Sequence, residues 1–154
     1  MNDRMSTLLE RADLQWPLVT HATSRRVPTL EIFEDCVLLK GKWDRNKHVK
    51  ITDCFDKTGF ECFINHVHLP FNGTNETLIP CLEHAAAIQD ALMPLARGRQ
   101  FRIIVSVSVD DEFSQSACAV RFHQIRSGED WIGENLEGYK SEAILVFDVP
   151  SSSH

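Results

Sequence analysis

No stretch of this 154-residue chain approaches the roughly 18 to 20 consecutive apolar residues that a membrane-spanning helix needs. The opening Met1-Asn2-Asp3-Arg4-Met5 runs into Leu8-Leu9-Glu10-Arg11 rather than into an apolar leader. A soluble, cytoplasmic protein with no membrane partner is therefore expected. C-x-x-C pairs are missing as well. The five cysteines, Cys36, Cys54, Cys62, Cys81 and Cys118, are odd in number and mostly stand inside apolar stretches. That spacing argues against a disulfide framework and for reduced thiols acting as small buried hydrophobes. Also lacking are G-x-S-x-G, H-E-x-x-H, G-x-G-x-x-G and G-x-x-x-x-G-K-[ST]. Nucleophile elbows, helical zinc sites, dinucleotide folds and phosphate loops thus have no local signature, and neither catalysis nor a cofactor is expected.

Basic residues are scarce in the last third. Residues 1–102 carry 13 acids and 13 bases, whereas residues 103–154 carry 9 acids and 3 bases, so the whole formal charge of −6 resides there. Such asymmetry bears on solubility and on which partners the local field attracts, not on fold.

The length fits one ordinary domain, and 43% apolar residues suffice for one core. Residues 3–14 can form a short helix capped by Asp3 or Ser6, with Leu8, Leu9 and Ala12 on one face and Trp16-Pro17 beyond its end. Residues 1–17 are read as a peripheral arm. Residues 29–43 are rich in β-formers around a turn at Glu34-Asp35, which predicts a hairpin. A basic loop at 40–47 leads to a strand through Val49, Ile51 and Phe55, then a turn at residues 56–59 and a third strand at 60–69. From Asn75 the period changes. Leu78, Cys81, Leu82, Ala85, Ile88, Leu92 and Leu95 recur at three and four, predicting a long helix with Pro80 in its first turn, Pro94 ending it and Gly98 as a stop. Phe101, Ile103, Val105, Val107 and Val109 then alternate with more polar residues, Asp110-Asp111-Glu112 makes a turn, and residues 116–125 return as the hairpin partner. Residues 126–142 form the longest loop. The apolar run 143–147 predicts a strand buried in the middle of a sheet, followed by a frayed tail at 150–154. With three or four strands, one long helix and three strands, the expected fold is a single-domain α+β sandwich, a mostly antiparallel sheet with helices on one face.

Candidate chemistry is sparse. His66 and His68 stand at i and i+2, on one face of a strand, where two imidazoles can approach one metal ion. A zinc site needs a third ligand, and Glu76 lies beyond a proline-containing turn while His48 and His123 reach this face only under an assumed strand order. No metal is expected, and a small metal-dependent enzyme on His66 and His68 is the alternative reading. Cys62 and His66, four residues apart on one strand, are too distant for nucleophile and base at roughly 3.3 Å per residue. His84 reads as a boundary residue of the long helix. The basic group Lys40, Lys42, Arg45, Lys47 and Lys50 with Trp43 has two readings, a phosphate-binding loop with a stacking aromatic or a charged hairpin tip. The pI of about 5.6 speaks for the tip and against a nucleic-acid partner.

The 126–142 loop differs in character. Glu129, Asp130, Glu134, Glu137 and Glu142 surround Trp131, Ile132, Leu136 and Tyr139, and large aromatics with a polar surround are the composition of binding hot spots. The plainer reading tucks Trp131 into the core. If it is exposed, Trp131 and Tyr139 are the anchors, Glu129, Asp130, Glu134 and Glu137 the surround, and the partner is a basic protein surface. In general layout, and in segments such as Phe60-Glu61-Cys62-Phe63-Ile64-Asn65-His66 and Trp131-Ile132-Gly133-Glu134-Asn135-Leu136-Glu137, the chain resembles the small immunity proteins of bacterial contact-dependent growth inhibition and related polymorphic toxin systems. The resemblance implies a non-enzymatic protein that binds and neutralises a cognate toxin domain, often a basic nuclease, and it carries over no binding residue. Another accessory protein-binding subunit is the remaining alternative.

Overall fold

In the computed structural model, residues 1–17, 26–72, 74–108 and 117–150 are described. The alternation of Phe101, Ile103, Val105 and Val107 becomes one face of strand β4 (Phe101–Ser108), which pairs antiparallel with β5 (Ala117–Gln124), Val105 opposite Val120. β3 (Val67–Pro70) adds to the outside of β5 and β6 (Glu142–Asp148) to the outside of β4, giving the order β3-β5-β4-β6. Helix α4 (Asn75–Leu92) lays Leu78, Cys81, Leu82, Ala85, Ile88 and Leu92 on this sheet, all 0 or 1% exposed. Spacing of three and four keeps these side chains on one side of the helix. Pro80 falls in the second turn rather than the first, because the helix starts at Asn75, and a short 3₁₀ turn at Met93–Leu95 ends it at Pro94.

The N-terminal segment, read from sequence as a peripheral arm, carries α1 (Asp3–Arg11), whose Met5 and Leu9 lie with Ala12 in the main core. Its cap is Asn2, not Asp3 or Ser6: the Asn2 Oδ1 accepts the Met5 N–H at 3.1 Å. The same oxygen accepts the Ile144 N–H at 2.9 Å, and the Asn2 N–H donates to the Ile144 carbonyl at 3.0 Å. Asn2 thereby supplies the partner that the outer edge of β6 lacks. This corrects the expectation of a middle strand at 143–147. β6 is an edge strand, and its continuous apolar run reflects a buried Ala143 and Leu145 in the main core and a buried Ile144 on the other face.

β1 (Leu30–Phe33) and β2 (Cys36–Leu39) form the expected hairpin, turned by Glu34 and Asp35 at φ 46° and 69°. β2 is buried on both faces. Val37 and Leu39 join the main core, while Cys36 and Leu38 meet Trp43, Phe60 and Ile64 in a second, smaller one. Between residues 40 and 66 the predicted strands are absent. Residues 40–45 form α2 (Lys40–Arg45), Ile51–Asp53 make a 3₁₀ turn, and α3 (Lys57–Ile64) replaces most of the strand expected at 60–69. Asp56 decides the outcome: its Oδ1 caps α3 by accepting the Gly59 N–H at 2.6 Å. Phe60 and Ile64 then share one helical face as i and i+4, although Phe60, Cys62 and Ile64 also fit a period of two. The fold is α+β, with antiparallel sheets and a single domain. The turn predicted at residues 110–112 and the tail at 151–154 lie outside the described residues.

Candidate functional site

Where β2 passes the end of β5, no strand pairs with strand. Instead α3 projects Glu61 and Asn65, one turn apart and both 0% exposed, into the gap. Glu61 Oε1 accepts the Val37 N–H and Oε2 the Gln124 N–H, each at 2.8 Å. Asn65 accepts the Leu39 N–H at 2.8 Å and donates to the carbonyls of Val37 at 2.9 Å and Phe122 at 3.2 Å. Arg126 closes the arrangement with a two-pronged pair to Glu61 at 2.7 and 3.1 Å. Two backbone N–H groups and two guanidinium N–H groups thus converge on the buried carboxylate, which makes it a structural staple between β2, β5 and Arg126.

Immediately after Arg126 the acidic loop begins, and the fold occupies two of its carboxylates. Glu129 Oε2 accepts the Thr58 N–H at 3.0 Å and the Thr58 hydroxyl at 2.8 Å, at the N-terminus of α3. Glu137 Oε1 accepts the Asp3 N–H at 2.8 Å, at the N-terminus of α1. Carboxylates suit both places because the first helical N–H groups lack internal acceptors and the helix dipole is positive there. Asn2 Nδ2 donates to the carbonyl of Glu142 at 2.8 Å and, more weakly, to that of Leu136 at 3.4 Å. The Tyr139 hydroxyl accepts the Gly133 N–H at 3.0 Å, so this half-buried ring braces the loop. Asp130 and Glu134 remain exposed. Between them Trp131 is 43% exposed, its ring facing the Arg121 guanidinium at 5.3 Å.

Arg121 sits on the sheet face opposite α4, as its neighbours Val120 and Phe122 point into the main core. His68, paired with Ala119, shares that face. The His66 and His68 rings approach to 4.1 Å as the sequence spacing suggests, but the neighbour of His66 is a cation: Arg121 Nη2 lies 3.0 Å from His66 Nε2. A guanidinium only donates, so Nε2 accepts and its lone pair is engaged. Burial foremost, then Arg121, His68 and Lys42, push His66 down to about 4. Among the described residues no group of three His, Cys, Asp or Glu could hold a metal. Cys62 is a buried thiol held well above its ordinary range by desolvation, the wrong environment for a nucleophile. His84 is shifted down by burial, and its Nε2 is buried without a hydrogen-bond partner.

Trp43 belongs to the small core. It is 3% exposed and packs on Phe33 and Phe60, with ring centres at 4.7 and 5.8 Å, so it offers no stacking platform. Of the surrounding bases, Lys40 bonds Asp44 at 2.9 Å, and Lys47 lies 3.5 Å from Glu31 and 4.5 Å above the Trp43 ring. Sequence reasoning missed Asn2, Glu61, Asn65 and Arg121. Glu61 alone left a signal, as an acid inside the otherwise apolar run 60–64.

No curated protein and no solved structure matches the chain. Over residues 1–154 it matches one family, and on that full-length match the chain belongs to the uncharacterized protein PM0498 family.

Proposed function

We propose that the protein is a non-enzymatic binding module whose contact surface is the 126–141 loop, and that it acts as an immunity protein, capturing a basic toxin domain. The observation that carries this reading is Trp131, a large aromatic 43% exposed on a loop whose flanks are fixed by Glu129 on α3 and Glu137 on α1. An immobilised aromatic avoids most of the ordering cost of association, and tryptophan is the residue type most enriched among interface hot spots. The exposed Asp130 and Glu134 supply the field that steers a basic partner, while Glu129, Glu137 and Tyr139 hold the loop in shape.

The test is binding kinetics with, and protection against, a nuclease toxin domain of basic surface, at two salt concentrations. Trp131→Ala should mainly accelerate dissociation and cost about 2 kcal/mol or more. Reversing the charges of Asp130 and Glu134 should slow association and flatten its salt dependence. If both variants bind and protect like wild type while changes at Lys42 or Arg45 abolish binding, the surface lies on the basic side and the reading fails.

A further inference from the structure

Three arginines of the sheet region have a carboxylate partner: Arg99 with Asp35 at 2.9 Å, Arg102 with Asp148 at 2.8 Å and Arg126 with Glu61 at 2.7 Å. Arg121 is the exception. It is half-buried, and among the described residues no carboxylate forms an ion pair with it. Its guanidinium contacts the His66 ring nitrogen and the Trp131 face, both weak substitutes for a counter-charge. A partly desolvated guanidinium normally has an anion beside it, because removing a charge from water is costly unless the charge is paired.

Two imidazoles stand next to this cation: the exposed His68 ring lies 4.1 Å from that of His66, on the same face as Arg121. Two groups of the opposite tendency act on Arg121, the Cys62 thiol from α3 and the Glu142 carboxylate from β6. The thiol is buried and protonated, and Glu142 stands outside ion-pair range. In a chain of formal charge −6 this leaves one cation without a counter-charge on the sheet face opposite α4, with an exposed aromatic at its rim whose loop also carries the exposed Asp130 and Glu134.

We propose that Arg121, His66 and His68 form an oxyanion site that takes a phosphoryl group, with Trp131 beside it to contact the body of the ligand. In the free protein the His66 Nε2 lone pair occupies one Arg121 N–H. An arriving oxyanion takes over as acceptor, which leaves Nε2 to bind one proton from solvent and donate it to the anion. The guanidinium fork with two imidazoles beside it offers several donors at fixed angles, which match the three oxygens of a phosphoryl group better than a single carboxylate. The site shares Trp131 with the proposed protein-binding surface, but it rests on Arg121 and the two imidazoles, and phosphate binding is read separately from toxin binding.

The probe is inorganic phosphate, titrated at neutral pH with ionic strength held constant by sodium chloride, while the imidazole signals of His66 and His68 are followed by NMR. Saturable shifts at both rings and an upward move of the His66 titration midpoint are expected. Arg121→Gln should weaken binding about tenfold or more, the usual scale for losing a charge-assisted hydrogen bond. His68→Gln changes an exposed side chain, keeps the fold and should also weaken binding, so the test survives if Arg121→Gln does not fold. Shifts that never saturate, or that chloride alone reproduces, mean an adventitious ion and overturn the site. Acetate binding as tightly as phosphate overturns the phosphoryl assignment, as does unchanged phosphate affinity in both variants.

Discussion

Replacing Glu61 by glutamine keeps the shape of the staple and removes its charge, which makes the cost calculable. The carboxylate accepts two backbone N–H groups and two prongs of Arg126. A glutamine has one acceptor oxygen, so its amide nitrogen would face either the Val37 or the Gln124 N–H and leave that donor without a partner. An orphaned buried donor costs about 1–3 kcal/mol. Arg126, with only 12% of its side chain exposed, also loses its counter-charge. Breaking a buried pair by removing one partner costs about 3–5 kcal/mol, and this range already includes much of the orphaning. We expect Glu61→Gln to cost about 3–4 kcal/mol, and Glu61→Ala more, since it orphans both amides and leaves a cavity. Against a total stability of about 5–15 kcal/mol this is a large fraction. Urea denaturation followed by far-UV circular dichroism measures it, and an Arg126→Met cycle isolates the pair. With Arg126 already replaced, the penalty for Glu61→Gln should shrink to about that of the lost amide bond. A cost below about 1 kcal/mol for Glu61→Gln in the wild-type background would refute the reasoning.

Leu82→Ala and Leu92→Ala, both at 0% exposure on the sheet-facing stripe of α4, should each cost about 2–5 kcal/mol by denaturant melts, and losses under about 0.5 kcal/mol at both would contradict their burial. His66 is held down to about 4 from an ordinary 6.5, so between those values the unfolded chain binds more protons than the folded one. Its contribution is therefore intact above about pH 6.5 and is lost as pH falls toward 4, with His84 and His123, also shifted down, acting in the same sense. An NMR midpoint for His66 at or above its ordinary value in phosphate-free buffer would contradict this. Because the His66 lone pair is engaged by Arg121, untagged protein should carry no stoichiometric zinc by elemental analysis; zinc that disappears on His66→Ala would overturn that account.

Legibility in the sequence followed how far each pattern depends on distant partners. The stripe of α4 and the alternation in β4 are local statements about one buried face, and both carry straight into the structure. The turn at Glu34-Asp35 is local as well. Residues 57–64 misled because Phe60, Cys62 and Ile64 satisfy two periods at once, and the choice rests on an Asp56 cap and on two polar side chains finding backbone partners in β2 and β5. Those partners lie tens of residues away, which no periodicity reports. β6 reads as a central strand for a similar reason: its apolar run says that both faces are covered, whereas its edge position depends on Asn2, at the other end of the chain. The loop acids showed their charge but not their employment. Nothing in the spacing of Glu129 and Glu137 separates a helix-capping carboxylate from the free ones at Asp130 and Glu134.

The bonds from Asn2 and Glu137 tie the exposed tryptophan loop to the first turn of α1, which has its own local opening equilibrium. When that turn frays, the loop loses its α1 anchors and the β6 edge its cover, while the Glu129 bonds to Thr58 still hold the other flank. Substitutions along α1 should therefore change the fraction of molecules in which the tryptophan loop keeps its α1 contacts, without altering any residue of the loop itself.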